Sequence, residues 1–240
     1  MRLPHLLPAA ALLAMCSAQA AVSVTGPLPY LRPADSPFSA GTGYHHLETF
    51  EDGLANTPGL GVSGGIASGR SVYADSVDAD DGVVDGSGAN GQSWYSDGNL
   101  GSITFSFSAA ALGRLPTQVG IVFTDVGNRH DGGPLGRAQA FLEAYSGDGA
   151  LLGAASFEFG DGSAFSSTAE DRFLGVTDAG GIGSIRVGFV GSTDWEVDHL
   201  QYAGAVPEPT TWALWAAGLI GMAGAARARG RRQAVQRAAR

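Results

Sequence analysis

Five aspartates crowd one stretch of the chain: Asp75, Asp78, Asp80, Asp81 and Asp85. Carboxylates at that density are hard oxygen donors of the kind Ca²⁺ takes. Their spacing misses the EF-hand loop, because Gly82 follows Asp78 at the wrong offset, and an acidic surface loop is the alternative. Gly61-Val62-Ser63-Gly64-Gly65 fits the GxSxG pattern of a nucleophile elbow. That elbow needs a strand, a sharp turn and a following helix, and no helical pattern follows here. With 37 glycines in 240 residues, such matches arise by chance. The same holds for the two GxGxxG matches, Gly59 to Gly64 and Gly86 to Gly91, since neither opens the helix of a βαβ unit. His45 and His46 are neighbours, and neighbours on a strand point to opposite faces, so they do not share a metal. His130 lies in GNRHDGG near Asp125, Asn128 and Asp131, a group suited to a sugar or a cation, with a solvated turn as the alternative.

The elements that must position these residues read as β-structure. Glycine far exceeds its usual share of roughly 7%, which helices tolerate badly and turns tolerate well. Ile103, Phe105 and Phe107 alternate with Thr104, Ser106 and Ser108, the period of a strand with one apolar face. Val119, Ile121 and Phe123 repeat it, as do Ile185, Val187 and Phe189. Further strands are predicted at Tyr44–Phe50, Ile66–Tyr73, Ala138–Tyr145, Leu151–Phe159, Arg172–Val176 and Trp195–Tyr202, with SDGN, GDGA, GDGS and DAGG as turns between them. One helical turn is expected at Ala109–Leu112, and Pro27 to Pro37 reads as a Pro-rich entry segment. About nine strands with such turns predict an all-β fold, a single jelly-roll-like β-sandwich over residues 21–204.

The two ends differ from this middle. Arg2, then an apolar run from Leu6 to Met15, then Ala18-Gln19-Ala20, has the order of a secretory signal over residues 1–20, cleaved between Ala20 and Ala21. A lipoprotein reading through Cys16 competes, but Met15 is larger than the residue such sites prefer. Cleavage after Ala20 leaves a mature chain without cysteine, which excludes a disulfide-stapled scaffold. At the other end, residues 210–226 carry no charge over 17 positions. As a helix they would span roughly 26 Å, the short end of a membrane crossing. Trp212 and Trp215 stand at the outer end, where indoles favour the interface, and a buried core helix is the alternative. Arg227, Arg229, Arg231, Arg232, Arg237 and Arg240 follow in residues 227–240. Such a cluster stays cytoplasmic, so the domain before it faces out. Residues 205–209 precede the apolar run and hold Val206-Pro207-Glu208-Pro209, which two prolines keep extended.

Pro-Glu-Pro, one apolar span and an Arg-rich end, in that order, resemble the PEP-CTERM sorting signal of Gram-negative bacteria, a tail also labelled an ice-binding protein C-terminal domain, which implies nothing about ice. The resemblance covers residues 205–240. It implies an exosortase-type membrane protease as partner, acting at Val206, Pro207, Glu208 and Pro209. It also implies a transient inner-membrane anchor, then residence at the cell surface or in the extracellular matrix of a cell that makes exopolysaccharide. Processing at both ends leaves seven arginines against 22 acidic residues, about −15 where the whole chain carries −9. A domain so acidic offers nucleic acid no basic patch.

Phe50-Glu51-Asp52-Gly53 opens the domain, and Trp195-Glu196-Val197-Asp198 lies in its last strand. The pair resembles carbohydrate-binding jelly rolls, in which such segments supply a structural Ca²⁺ site. Carried over, Glu51, Asp52 and Asp198 would be the ligands; the alternative is that Glu51 and Asp198 are ordinary solvent-facing strand residues. No cofactor is otherwise required. The function expected is a non-enzymatic, exported structural or adhesive module. A module for extracellular polysaccharide, with Trp94, Tyr95 and Trp195 as a sugar platform, is the second reading, and a secreted hydrolase the third.

Overall fold

The computed structural model describes residues 22–38, 43–69, 74–77, 91–98, 101–160, 162 and 171–205. Met1–Ala205 and Val206–Arg240 are separate compact units, and every described residue lies in the first.

The described residues form twelve strands in two antiparallel sheets. In chain order they are β1 (Ser23–Pro29), β2 (Gly43–Glu48), β3 (Leu60–Ser63), β4 (Ile66–Ala67), β5 (Trp94–Tyr95), β6 (Ser102–Phe107), β7 (Gln118–Val126), β8 (Ala138–Ser146), β9 (Leu151–Phe159), β10 (Arg172–Thr177), β11 (Ile182–Val190) and β12 (Trp195–Ala205). The larger sheet runs β1-β10-β7-β12-β5-β4, with β2 beside β5 along the same edge of β12. The smaller runs β3-β6-β11-β8-β9. From β6 onward the chain alternates between sheets except at the β8–β9 hairpin, so neighbours in sequence mostly face one another across the core.

The inward residues are those the alternation marks. Ile103, Phe105 and Phe107 of β6, Ile185, Val187 and Phe189 of β11, and Val119, Ile121 and Phe123 of β7 belong to one buried cluster. Phe123 meets Phe157, Phe159 and Phe189 with ring centroids 5.5 to 6.1 Å apart, mostly edge-on, the arrangement aromatic quadrupoles favour. The helical turn forms at Ala109–Leu112, where Ser108 accepts a bond from Ala111 N and Gly113 closes it at φ 79°.

Three expectations shift. The Pro-rich entry from Pro27 overlaps the end of β1, an edge strand, where a proline's missing N–H leaves no ladder bond unmade. Within the predicted Ile66–Tyr73 strand only Ile66–Ala67 is a strand, and residues 70–73 lie outside the described set. The last strand continues past Tyr202 to Ala205, one residue beyond the expected end of the domain. Among the described residues no helix is long and apolar enough to cross a membrane. The expected crossing at 210–226 lies outside them.

Candidate functional site

The outer face of the larger sheet is covered. Tyr30 and Phe38 of the N-terminal segment and Val77 of the 74–77 segment pack on Val122 and Phe173 as a second apolar cluster. Gly120 and Gly175 are cross-strand partners and form its floor. A β-carbon on Gly120 would stand 2.2 Å from the Phe173 ring, and one on Gly175 2.7 Å from Phe38. Tyr30 stacks on Phe173 at 6.0 Å and meets His199 edge-on at 5.5 Å. Its hydroxyl accepts from Gln201 Nε2 at 2.9 Å and lies 3.1 Å from His199 Nδ1. Ser36 hydrogen-bonds Gln201 from the same segment.

Under this cover lie the carboxylates of β12. Trp195 and Val197 point into the core, so Glu196 and Asp198 point outward, yet both are buried. Glu196 is the register partner of Tyr95 and of Asp125. Its Oε2 accepts from Asp75 N at 2.6 Å, and Asp198 Oδ2 accepts from Val77 N at 2.9 Å. Thr124 Oγ1 donates to Asp75 O at 3.3 Å, and Asp198 Oδ1 takes His199 N at 2.6 Å. Two side-chain carboxylates therefore do what backbone carbonyls do in a ladder: they seat the 74–77 segment on the sheet. Burial pushes Glu196 well above the ordinary carboxylate range, and the charges of Asp125 and Asp75 add to it. Burial also pushes Asp198 well up, reinforced by Glu51 and Glu196. A one-residue bulge between Asp198 and Gln201 turns His199 outward at φ 42°, and burial lowers its pKa to about 3.

The expected cation ligands divide. Glu51 and Asp198 are charge-coupled, and Glu51 Oε1 accepts from Gln92 N at 2.9 Å. Asp52 turns away: its carboxylate takes Leu54 N at 3.0 Å and Asn56 Nδ2 at 2.7 Å, as in an Asx turn. Among the described residues no three His, Cys, Asp or Glu side chains are grouped to hold a metal ion. Of the Glu51, Asp52 and Asp198 set, Glu51 and Asp198 thus share one charged neighbourhood, and the Asp52 carboxylate is engaged by Leu54 and Asn56 instead. Asp198 is also not solvent-facing. Of the aspartate run, Asp75 is buried in this site, and Asp78 through Asp85 lie outside the described residues.

Among the described residues, the other candidate motifs occupy turn and packing positions. Ser63 ends β3 at an exposed position, and Gly64 and Gly65, at φ 91° and 73°, turn the chain into β4 where an elbow would need a helix. Trp94 and Trp195 are 8% and 1% exposed, so they cannot form a sugar platform; Tyr95 alone is half-buried. Trp94 Nε1 donates to Gly64 O at 3.0 Å, which fixes that turn. Tyr95 bonds Asp194, and burial followed by that carboxylate raises its pKa to about 12. His46 packs between Tyr44 and Tyr202, and His130 Nε2 is 2.6 Å from Thr193 Oγ1. Ala20, Ala21, Val206, Pro207, Glu208, Pro209, Arg227, Arg229, Arg231 and Arg232 lie outside the described residues.

The parts that Glu196 and Asp125 play at this site escaped the sequence reading, which grouped Asp125 with His130 and gave Glu196 no role. Their signal was present: Glu196 alternates with Trp195 and Val197. Alternation names the side of a sheet, not whether that side is wet. No family model matches the chain, and neither the curated proteins nor the solved structures contain a match.

Proposed function

We propose that the chain is an exported protein, sorted through its C-terminal tail to the cell surface or extracellular matrix, and that its two-sheet domain is a jelly-roll-like, non-catalytic structural or adhesive module. The observation that carries this reading is the order of Val206-Pro207-Glu208-Pro209, a charge-free run and six arginines at residues 206–240. An exosortase-type protease is the partner, and the inner membrane holds the chain until the cut. Support for a non-catalytic domain comes from how its acids are used: Glu48, Glu196 and Asp198 each accept backbone N–H groups of the domain's own loops. Ca²⁺ enters through the half-buried Glu51 and the buried Asp198 as a structural ion that would neutralise two carboxylates in one charged neighbourhood.

Deleting residues 206–240 in the native host tests the reading. The truncated protein is expected to leave the surface fraction and appear free in the periplasm or medium. An unchanged surface fraction would overturn it. Binding to extracellular polysaccharide is the alternative function, and retention of the purified domain on that polymer would establish it over simple structural service.

A further inference from the structure

The last strand reaches the sorting motif without a spacer. Residues Leu200 through Ala205 of β12 pair with β2, in the register Leu200↔Glu48 to Ala205↔Gly43, and Val206 is the next residue in the chain. On its other edge β12 pairs with β7 only as far as Ala203↔Gln118. Among the described strands, Gly204 and Ala205 thus pair with β2 and not with β7. Tyr44 lies across Gly204: a β-carbon there would be 2.6 Å from the ring. The Tyr44 hydroxyl donates to Arg114 O at 3.1 Å, which fixes the ring. Pro207 has no N–H with which to prolong the ladder.

We propose that the end of the β2–β12 ladder gates processing of the tail: the protease cuts through a state in which Gly204 and Ala205 have left β2. The proposal rests on the sorting reading above. Peptide clefts bind extended chain through its main-chain groups over several residues. A cut within Val206 to Pro209 places Gly204 and Ala205 among the residues such a cleft must hold. Their backbone groups cannot bond β2 and a cleft at once. Strand ends open locally at low cost, so the gate slows the cut without abolishing it. The rate of processing then scales with the frayed fraction, and the Tyr44 contact sets that fraction.

The test uses the full chain in its native host, with the fraction lacking Arg240 followed by mass after a pulse of synthesis. One chain carries a short Gly/Ser spacer between Ala205 and Val206, a second a spacer twice as long, and a third Tyr44→Ala. The expected result is several-fold faster processing with the first spacer, no further gain with the second, and a smaller gain for Tyr44→Ala. A Gly43→Cys, Ala205→Cys pair, oxidised across the ladder, is expected to slow processing, and the spacer to relieve it. Equal rates in the wild type and both spacer chains overturn the gate while leaving sorting intact. Retention of Arg240 in every chain overturns the sorting reading and the gate with it.

Discussion

On β6 of the smaller sheet, Ser102, Thr104 and Ser106 point away from the core and reach solvent; on β12 of the larger sheet, Glu196 and Asp198 also point away from the core and reach none. The two strands carry the same alternation. Their surroundings differ because the larger sheet wears the N-terminal segment and residues 74–77, and the smaller sheet has no such apolar cover among the described residues. A polar residue on the bare face has water as its partner. One on the covered face must find protein partners, and Glu196 and Asp198 find backbone N–H groups. The comparison assigns roles. The bare face tolerates change, whereas the covered face is a second core built on polar anchors.

The largest effect should come from the apolar half of that second core. Phe173→Ala is expected to cost about 3–5 kcal/mol in denaturant unfolding, since it empties the contact of Tyr30, Phe38 and Val122 together. A cost under 1 kcal/mol, small for a buried aromatic, would show that the N-terminal segment is not docked there. Gly120→Val should cost about 1–3 kcal/mol, because its side chain must displace the Phe173 ring.

The polar half should appear as a pH slope. Glu196 and Asp198 bind protons more tightly folded than unfolded, so in chelator their contribution is present at acid pH and is lost as pH rises above the ordinary carboxylate range. His199 has the opposite sign. Its folded value near 3 lies below its ordinary 6.5, so that contribution is full above 6.5 and is lost as pH falls toward 3. Melting curves across pH for Glu196→Gln and Asp198→Asn should each lose part of the alkaline fall, and the double variant all of it, with the acid fall kept. If Ca²⁺ serves as proposed, adding it should flatten the alkaline fall in the wild type and do nothing in Asp198→Asn. The smallest effect belongs to the bare face. Glu143 and Arg186 pair at 2.9 Å, but both are partly exposed, and Glu143→Gln should change stability by about 0.2–1 kcal/mol.

The inner core was legible because period-2 alternation is a local property: Leu151–Phe159 is both the expected and the observed strand. The candidate site was legible in part. Asp198 and Glu51 could be named through the resemblance of their two segments to carbohydrate-binding jelly rolls. The burial of Asp198, and the part Glu196 plays, could not, because the cover comes from segments far away in sequence. Asp75 N reaches Glu196 across 121 residues, and no window on either strand contains the other. Asp52 shows the converse. It sits beside Glu51 in sequence, yet an Asx turn to Leu54 and Asn56 claims its carboxylate locally.

The most direct test of the functional account is the intact mass of the mature protein from its native host, with peptide mapping of the C-terminus. The account predicts a chain that begins at Ala21 and ends within Val206 to Pro209. A chain that still carries Arg240 would contradict it, leaving residues 210–240 as a permanent part of the protein.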